Sequence, residues 1–483
     1  MDREEPHRQG IQKPPPWYTV MREELTLFTR ISYALPALTL AVIGIPVYVY
    51  IPKFYTDTLG VPVAAAGIIL LAIRLFDAVT DPLIGIVSDR TVTRFGRRRP
   101  MILLGAVLVS VSILFLFNPP QMNSSEATVW FGIWVLLLFL SWTIITVPYE
   151  SLGPELTYDY NERTSLFSMR DGFLLGGTLA AAASPALIKV LFSDTIRAGG
   201  DASLFFIFSV LYSPLIAASA FWCVFFIRER PLQTRKNRPS GGFRIVMGNR
   251  PFMILLISYT ISALGNNLPA TLILYYVEYV LRSGLADFFL MIYFVTGIVF
   301  LPLWIKIAAR FGKKNAWIAA MCINTLTFSG VFFLGAGEEV MYGILVFLSG
   351  LGFGATIALP SSIQADVIDY DELITGERRE GRYVGIWSLA KKVSAAAGVG
   401  IGLSLLGAAG YRPEAVQPER VVFTLRLLYA LVPCLCNAVA ILIALAYPIT
   451  GEKHVMIREA IAVRKKGGEA EDPLVPGRLY RQA

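Results

Sequence analysis

The chain has 483 residues, 55% of them hydrophobic and only 16% charged, with a mean hydropathy of +0.58. Soluble domains carry about 25% charged residues, so this composition predicts a polytopic membrane protein and argues against a soluble enzyme. The net charge of +8 does not indicate a nucleic-acid partner, because the basic residues sit in short loops and tails between apolar runs.

Residues 1–24 are polar and Pro-rich, and are expected to form a cytoplasmic tail without a cleavable signal peptide. Apolar segments follow at 28–52, 61–87, 100–118, 128–152, 166–192 and 203–227. A basic connection over 228–248 carries Arg228, Arg230, Arg235, Lys236, Arg238 and Arg244. Six further segments lie at 251–280, 285–308, 315–335, 339–364, 383–408 and 422–448. About twenty residues cross the hydrocarbon, so each segment is long enough to span it. The expected fold is an all-α integral membrane protein of twelve helices. An N-terminal bundle occupies 25–227 and a C-terminal bundle 249–448. Residues 449–483 lack apolar periodicity and are expected to form a mobile cytoplasmic tail.

Lys and Arg set the orientation. Arg90, Arg94 and Arg97–Arg99, then Arg163, the 228–248 connection, Arg310, Lys313 and Lys314, then Arg378, Arg379 and Arg382 share one side. The opposite loops at 119–128 and 335–340 have none, with Arg197, Arg282, Arg412 and Arg420 as scattered exceptions on that side. The positive-inside rule then places both termini in the cytoplasm. The halves also repeat. Arg94-Phe-Gly returns as Arg310-Phe-Gly, a shift of 216 (310 − 94), and Glu162-Arg163 returns as Glu377-Arg378, a shift of 215 (377 − 162). Parallel repeats of six helices predict a substrate site between the halves near the midplane.

The second segment contains Arg74-Leu-Phe-Asp-Ala-Val-Thr-Asp-Pro-Leu-Ile-Gly85. Asp77 and Asp81 are four apart and share one helical face. A charge at bilayer depth costs at least about 2.5–3.5 kcal/mol, so such a pair is expected to face the interior and bind something positive. A clamp to Arg74 or a loop arginine is the structural alternative. Carboxylates and a hydroxyl are what a hard cation requires, and Thr80 adjoins Asp81. No paired DxxxD returns in helix 8, which places this site in the N-half alone. Cys223, Cys322, Cys434 and Cys436 fall in apolar segments and read as small core residues. His7 and His454 lie in the tails, which excludes a histidine relay inside the membrane. No phosphate-cradling or HExxH motif occurs, and no enzyme is expected.

The stretch Gly85–Arg99 resembles the loop after helix 2 of the major facilitator superfamily. FDAVTDPLIG (76–85), VPYESLGPEL (147–156), NERT (161–164) and ADVIDYDE (365–372) resemble, more narrowly, the glycoside–pentoside–hexuronide:cation symporters. The resemblance runs through all twelve helices. It implies a cation site of Asp77, Asp81 and a helix 4 threonine, Thr143, which would be the sodium ligands if sodium is the coupling ion. Thr80 stands where the family's best-known member has an asparagine, so the choice between sodium and proton stays open. No cofactor is implied beyond the coupling cation.

The same resemblance marks Lys392 on helix 11 as a substrate residue. Arg170 on helix 5 is a second candidate on the residues alone, with a salt bridge between halves, to Asp171 or Asp77, as the structural alternative for both. The galactoside carriers' helix 1 aspartate aligns with Ala41, their helix 4 aspartate with Thr146 and their helix 4 tryptophan with Glu150. Thr146 and Glu150 are therefore candidate substrate positions in a dismantled galactoside clamp. An apolar helix 1 wall (Leu38, Leu40, Ala41, Ile43) opposite cationic side chains suits an anionic or amphipathic solute better. Asn266 and Asn267 on helix 7 line the pore or bond between helices. Glu278, Tyr275, Tyr276 and Tyr279 near its outer end form an extracellular gate or an interfacial belt, and the belt is the expectation for the tyrosines. Asp89, Glu155, Asp369 and Arg378 are candidate gating charges.

These observations predict a multi-pass cell-membrane symporter, acting as a monomer in the lipid bilayer. It would couple sodium or proton entry to a small molecule such as a glycoside or hexuronide. Similarity at DAxxDPLxG and LPxSxxxDVID to lysophospholipid transporters of the superfamily keeps an amphipathic lipid as the alternative. A sensor with the transporter fold is a third possibility.

Overall fold

The computed structural model describes residues 25–91, 93–156, 160–227, 229, 246–376, 379–413 and 415–480. The first long segment, α1, covers Leu27–Thr58. It is α-helical to Val42 and then widens into π turns at Pro46–Tyr50 and Phe54–Thr58. Pro46 and Pro52 lack the N–H that a regular ladder needs, and π turns absorb such interruptions. There follow α2 (Val63–Arg90), α3 (Arg99–Phe117), α4 (Ser124–Leu156), α5 (Tyr160–Leu191) and α6 (Ser193–Phe226). The second series is α7 (Arg250–Tyr279), α8 (Ala286–Val299 and Leu301–Phe311), α9 (Lys313–Val331), α10 (Glu339–Thr375), α11 (Glu380–Ala408) and α12 (Glu419–Leu445). The predicted segments match these helices to within about six residues at their ends, except that α6 begins ten residues earlier than expected and α10 runs eleven residues longer.

Ten of these helices are long and apolar enough to cross a membrane, and the two pieces of α8, bent by 43°, make an eleventh together. The remaining helix, α9, opens on Lys313, Lys314 and Asn315 and carries Asn324, which dilutes its apolar character.

Within the first series α1 packs on α5 and α6, and α3 packs on α4 and α6. Within the second, α7 packs on α12 and α11, and α10 on α8 and α9. The series meet where α2 lies on α11, α5 on α8, and α1 on α7. Glycines set the α2–α11 distance. A Cβ on Gly67 would lie 2.9 Å from Leu403 Cβ and 3.1 Å from the Gly400 carbonyl oxygen. One on Gly407 would stand 2.8 Å from the Ala64 nitrogen. Small residues permit such backbone approach between membrane helices.

The sequence repeat has a structural counterpart. Gly96 and Gly312, each ending an Arg-Phe-Gly, have φ of +111° and +87°. Arg94 stacks on Phe95 and Arg310 on Phe311. The glycines turn the chain from α2 into α3 and from α8 into α9, at what is called here the basic end. The Glu229 carboxylate accepts hydrogen bonds of 2.7–2.8 Å from the backbone N–H groups of Arg97, Arg98 and Arg99. It thereby satisfies the otherwise open N-terminal donors of α3.

Part of the tail differs from expectation. Residues Gly451–Lys465 form α13, and Ala470–Glu471 pairs with Leu479–Tyr480 as a short antiparallel hairpin. Thr450 caps α13 by accepting from Lys453 N–H, and Ile457 and Ile461 bury its inner face. Arg464 donates to the Leu373 carbonyl at the end of α10, at 2.6 Å. Two isoleucines four apart and an N-cap suffice to dock an otherwise charged helix. All four cysteines are free, as expected.

Placing a Cβ and two methyls at Gly67 should drive α2 from α11. Gly67→Val is expected to lose about 1–3 kcal/mol of stability, read as a lower unfolding temperature of the purified protein. An unchanged melting curve would mean that this contact does not hold the halves.

Candidate functional site

Asp77 lies mid-way along α2 and is 5% exposed, with Asp81 one turn farther toward the basic end. Thr143 of α4 points its hydroxyl at both. Its Oγ1 stands 2.6 Å from Asp77 Oδ1 and 3.1 Å from Asp81 Oδ1. One hydroxyl proton serves one carboxylate at a time, so the second contact is oxygen to oxygen unless a proton or cation intervenes. The two remaining carboxylate oxygens receive Lys392 of α11, whose Nζ is 2.9 Å from Asp77 Oδ2 and in direct contact with Asp81 Oδ2. Two carboxylates, one hydroxyl and one ammonium thus form a single cluster across the α2–α11 interface. Thr80 does not join it: its hydroxyl donates to the Asp77 carbonyl at 3.1 Å.

Toward the basic end α2 and α11 diverge around a cavity of about 510 Å³. Its apex is Asp81 and Lys392, and its walls include Ala78, Pro82, Ile386 and Leu389, with Arg382 near the mouth. Arg170 of α5 does not reach the cluster. It pairs with its neighbour Asp171 at 2.7 Å and stacks on Phe167. Glu150 of α4 is exposed and lies within electrostatic reach of Arg170, Asp81, Lys391 and Lys392. The hydroxyl of Thr146 is bonded to the Trp142 carbonyl of its own helix.

Of the helix 7 amides, Asn266 bonds to another helix and Asn267 to its own. Asn266 Oδ1 accepts from Asn437 of α12 at 3.4 Å, and Asn267 Nδ2 donates to the Ala263 carbonyl at 2.7 Å. Asn266 also borders a small apolar cavity of about 80 Å³, lined by the second series and by Val49 of α1.

The end opposite the basic end is sealed between the series. Lys53 of α1 pairs with Asp57 and with Glu278 of α7, each at 2.6 Å. Tyr411 donates to Asp57 at 2.8 Å, and the Thr56 and Tyr275 hydroxyls are 2.9 Å apart. Lys189 of α5 and Tyr50 of α1 both meet Asp287 of α8, at 2.6 and 2.5 Å. The expected tyrosine belt is not there: Tyr275 and Tyr276 are fully buried, and Tyr279 is half-buried with its hydroxyl on Asp57. Each hydroxyl finds a partner inside the protein: Tyr275 on Thr56, Tyr279 on Asp57, and Tyr276 on the Val331 carbonyl of α9.

At the basic end the charges join helices of one series. Glu155 pairs with Arg97 and Arg98, at 2.6 and 2.8 Å. Glu162 pairs with Arg30 at 3.6 Å. Asp366 pairs with Lys313 at 2.6 Å, and Asp369 with His454 at 3.0 Å. Histidine 454 is therefore docked on α10. Arg378 and the Asp89 side chain lie outside the described residues. Sequence reasoning missed Lys189, Asp287 and Lys53, because a lone charge near a helix end carries no sign of its partner on another bundle.

Residues 32–451 match the family described as MFS/sugar transport protein. An uncharacterized symporter of Synechocystis is 26% identical, over 92% of this chain and 98% of the relative. The glucuronide carrier protein homolog of Escherichia coli K12 is 28% identical, over 86% of this chain and 91% of the relative. The fold matches a crystal structure of a bacterial homologue of the human lysosomal transporter Spinster, in an inward-facing conformation. The TM-score is 0.62 at 13% identity, covering 90% and 98% of the two chains.

Removing the ammonium should leave one buried carboxylate, Asp77, and one partly buried carboxylate, Asp81, uncompensated. Lys392→Ala is expected to destabilise the protein by about 3 kcal/mol, the lower end for a broken buried pair, since Lys392 is partly exposed. The triple variant Asp77→Asn/Asp81→Asn/Lys392→Ala should recover most of the lost melting temperature. No recovery would show that Lys392 acts through packing and not charge.

Proposed function

The chain belongs to the MFS/sugar transport protein family, and we propose that this multi-pass secondary transporter is a cation-coupled symporter of a small anionic solute. The observation that carries the reading is the four-membered cluster of Asp77, Asp81, Thr143 and Lys392. Its carboxylates and ammonium sum to one negative charge, so one sodium ion or proton neutralises it. A cation there would have carboxylate oxygens of Asp77 and Asp81 and the Thr143 hydroxyl as ligands, the oxygen set that a hard monovalent ion takes.

We place the basic end in the cytoplasm, by the positive-inside rule, with twelve spanning helices and both termini on that side. The arrangement then reads as inward-open. Lys53, Asp57, Glu278, Lys189 and Asp287 close the outer side, and the cavity below Asp81 opens inward. Glu155 and Asp369, held within their own bundles here, are free of that outer seal and would exchange partners when the inner side closes. Lys392 rides on α11 of the other half. When the halves rock, it moves relative to α2, and its distance from Asp77 and Asp81 sets how strongly the pair holds a coupling cation. Cation binding is thereby linked to the orientation of the halves.

For the solute we favour a hexuronide or related anionic glycoside. Arg170, Lys391 and Lys392 lie within electrostatic reach of Glu150, a concentration of positive charge that suits an anion, and the similarity to a glucuronide carrier homolog points the same way. The galactoside positions at Ala41 and Thr146 offer no carboxylate. One observation favours an amphipathic lipid instead: the α2–α11 cavity has apolar walls, beside exposed Val79, Leu83 and Val384.

Uptake of labelled methyl β-D-glucuronide into proteoliposomes, driven by a sodium or a proton gradient, tests the reading. Asp77→Asn and Asp81→Asn are each expected to abolish gradient-driven uptake, because the residual cluster is already neutral and needs no cation. Full cation dependence in either variant would overturn the assignment. Transport of a lysophospholipid in place of the glucuronide would select the amphipathic reading. Absence of substrate counterflow with any of these solutes would select a non-transporting sensor.

A further inference from the structure

Among the cations named above, Lys53, Lys189, Arg170 and Lys392 all meet carboxylates. Arg74 does not. It lies three residues before Asp77 and seven before Asp81, so it shares their face of α2. Leu75, Phe76, Val79 and Leu83, the outward apolar residues, lie on the other side of the helix. The Arg74 guanidinium carbon is 4.2 Å from the ring centroids of both Tyr48 of α1 and Phe139 of α4. Among the described residues it has no ion pair and no hydrogen bond, yet it is only half-buried and its nitrogens are not sealed from the space around them.

Two aromatic contacts orient a guanidinium but leave its in-plane N–H groups unsatisfied, and a charge at bilayer depth ordinarily pairs with another. The rings fix the plane, so the donors keep the fork geometry that receives a carboxylate with two parallel hydrogen bonds. The position is also informative. Arg74 lies between the seal at Lys53 and the Asp77–Asp81 cluster, the first cation on α2 that a solute entering through an opened outer seal would meet.

We propose that Arg74, clamped by Tyr48 and Phe139, is the receptor for the carboxylate of an anionic glycoside and sets the preference for anionic over neutral sugars. The inference rests on the anionic-solute reading above. It adds a source of coupling. A carboxylate on Arg74 stands about one helical turn from Asp77 and screens the arginine's positive charge from the cation site. Solute and cation therefore raise each other's affinity by one common factor.

The test is equilibrium binding to the full-length protein in nanodiscs. The probes are methyl and p-nitrophenyl β-D-glucuronide and the two matching neutral glucosides, with and without sodium at fixed pH. Wild type is expected to bind the glucuronides more tightly. Arg74→Gln should weaken glucuronide binding roughly tenfold or more, as loss of a charge-assisted pair does, and leave glucoside binding unchanged. Arg74→Lys should restore part of the loss. If Arg74→Gln does not give a monodisperse protein, Arg74→Lys carries the test through a smaller, glucuronide-selective loss. Undiminished glucuronide binding in the variant used would overturn the inference and leave the transport reading intact. Equal losses for glucuronides and glucosides would also overturn it, by showing a structural role. Failure of wild type to bind either glucuronide would remove the anionic-solute reading itself, and the inference with it.

Discussion

Everything in this structure turns on two carboxylates that cannot stand alone in an apolar bundle. Asp77 and Asp81 lie one helical turn apart on α2, and repulsion adds to the cost of burying them. The protein meets that cost with a hydroxyl from the same half, Thr143, and an ammonium from the other half, Lys392. The hydroxyl is a fixed ligand. The ammonium belongs to a helix that the transport cycle must move. A charge requirement met from the opposite bundle ties the electrostatics of one side chain cluster to the relative position of two halves of the molecule.

The rest of the interface follows from that tie. Glycines at 67, 400 and 407 let α2 and α11 touch at the sealed end, and the helices splay toward the basic end, which opens the cavity below Asp81. The seal is made by ion pairs and tyrosine hydroxyls that cross between the halves, while the basic-end pairs described above stay within one half. Exchanging one set of cross-contacts for another is a two-state device, biased by whatever occupies the carboxylate pair. The tail contributes to one half alone: α13 docks on α10 through Ile457, Ile461 and Arg464.

Arg74 gives the cluster a second sign. It places a fixed positive charge one turn from the carboxylates, held by rings and not by a counter-ion. A site with adjacent unfilled demands for a cation and for an anion binds a pair better than either member. Reciprocal coupling of that kind is what co-transport requires.

The sequence alone determined the helical class, the two-fold repeat and the carboxylate pair. Those are local properties: twenty apolar residues span a bilayer, Arg-Phe-Gly recurs at matching loops, and two aspartates four apart must share a helical face. Thr143 was legible only through the family resemblance of its helix, since nothing in its own surroundings marks a ligand. The tertiary structure decided who meets whom. Lys392 proved to be the partner of the pair while Arg170 turned to Asp171, and Thr80 and Thr146 turned back to their own helices. Tyr275 and Tyr279 of α7 left the expected belt for the seal and Tyr276 left it for the interior of its own half, His454 left the expected mobile tail for Asp369, and Arg74 was left with two rings and no anion. Each of those outcomes depends on the distance between residues of different helices, often of different halves. Helical periodicity fixes which way a side chain points, but only packing fixes what stands opposite it.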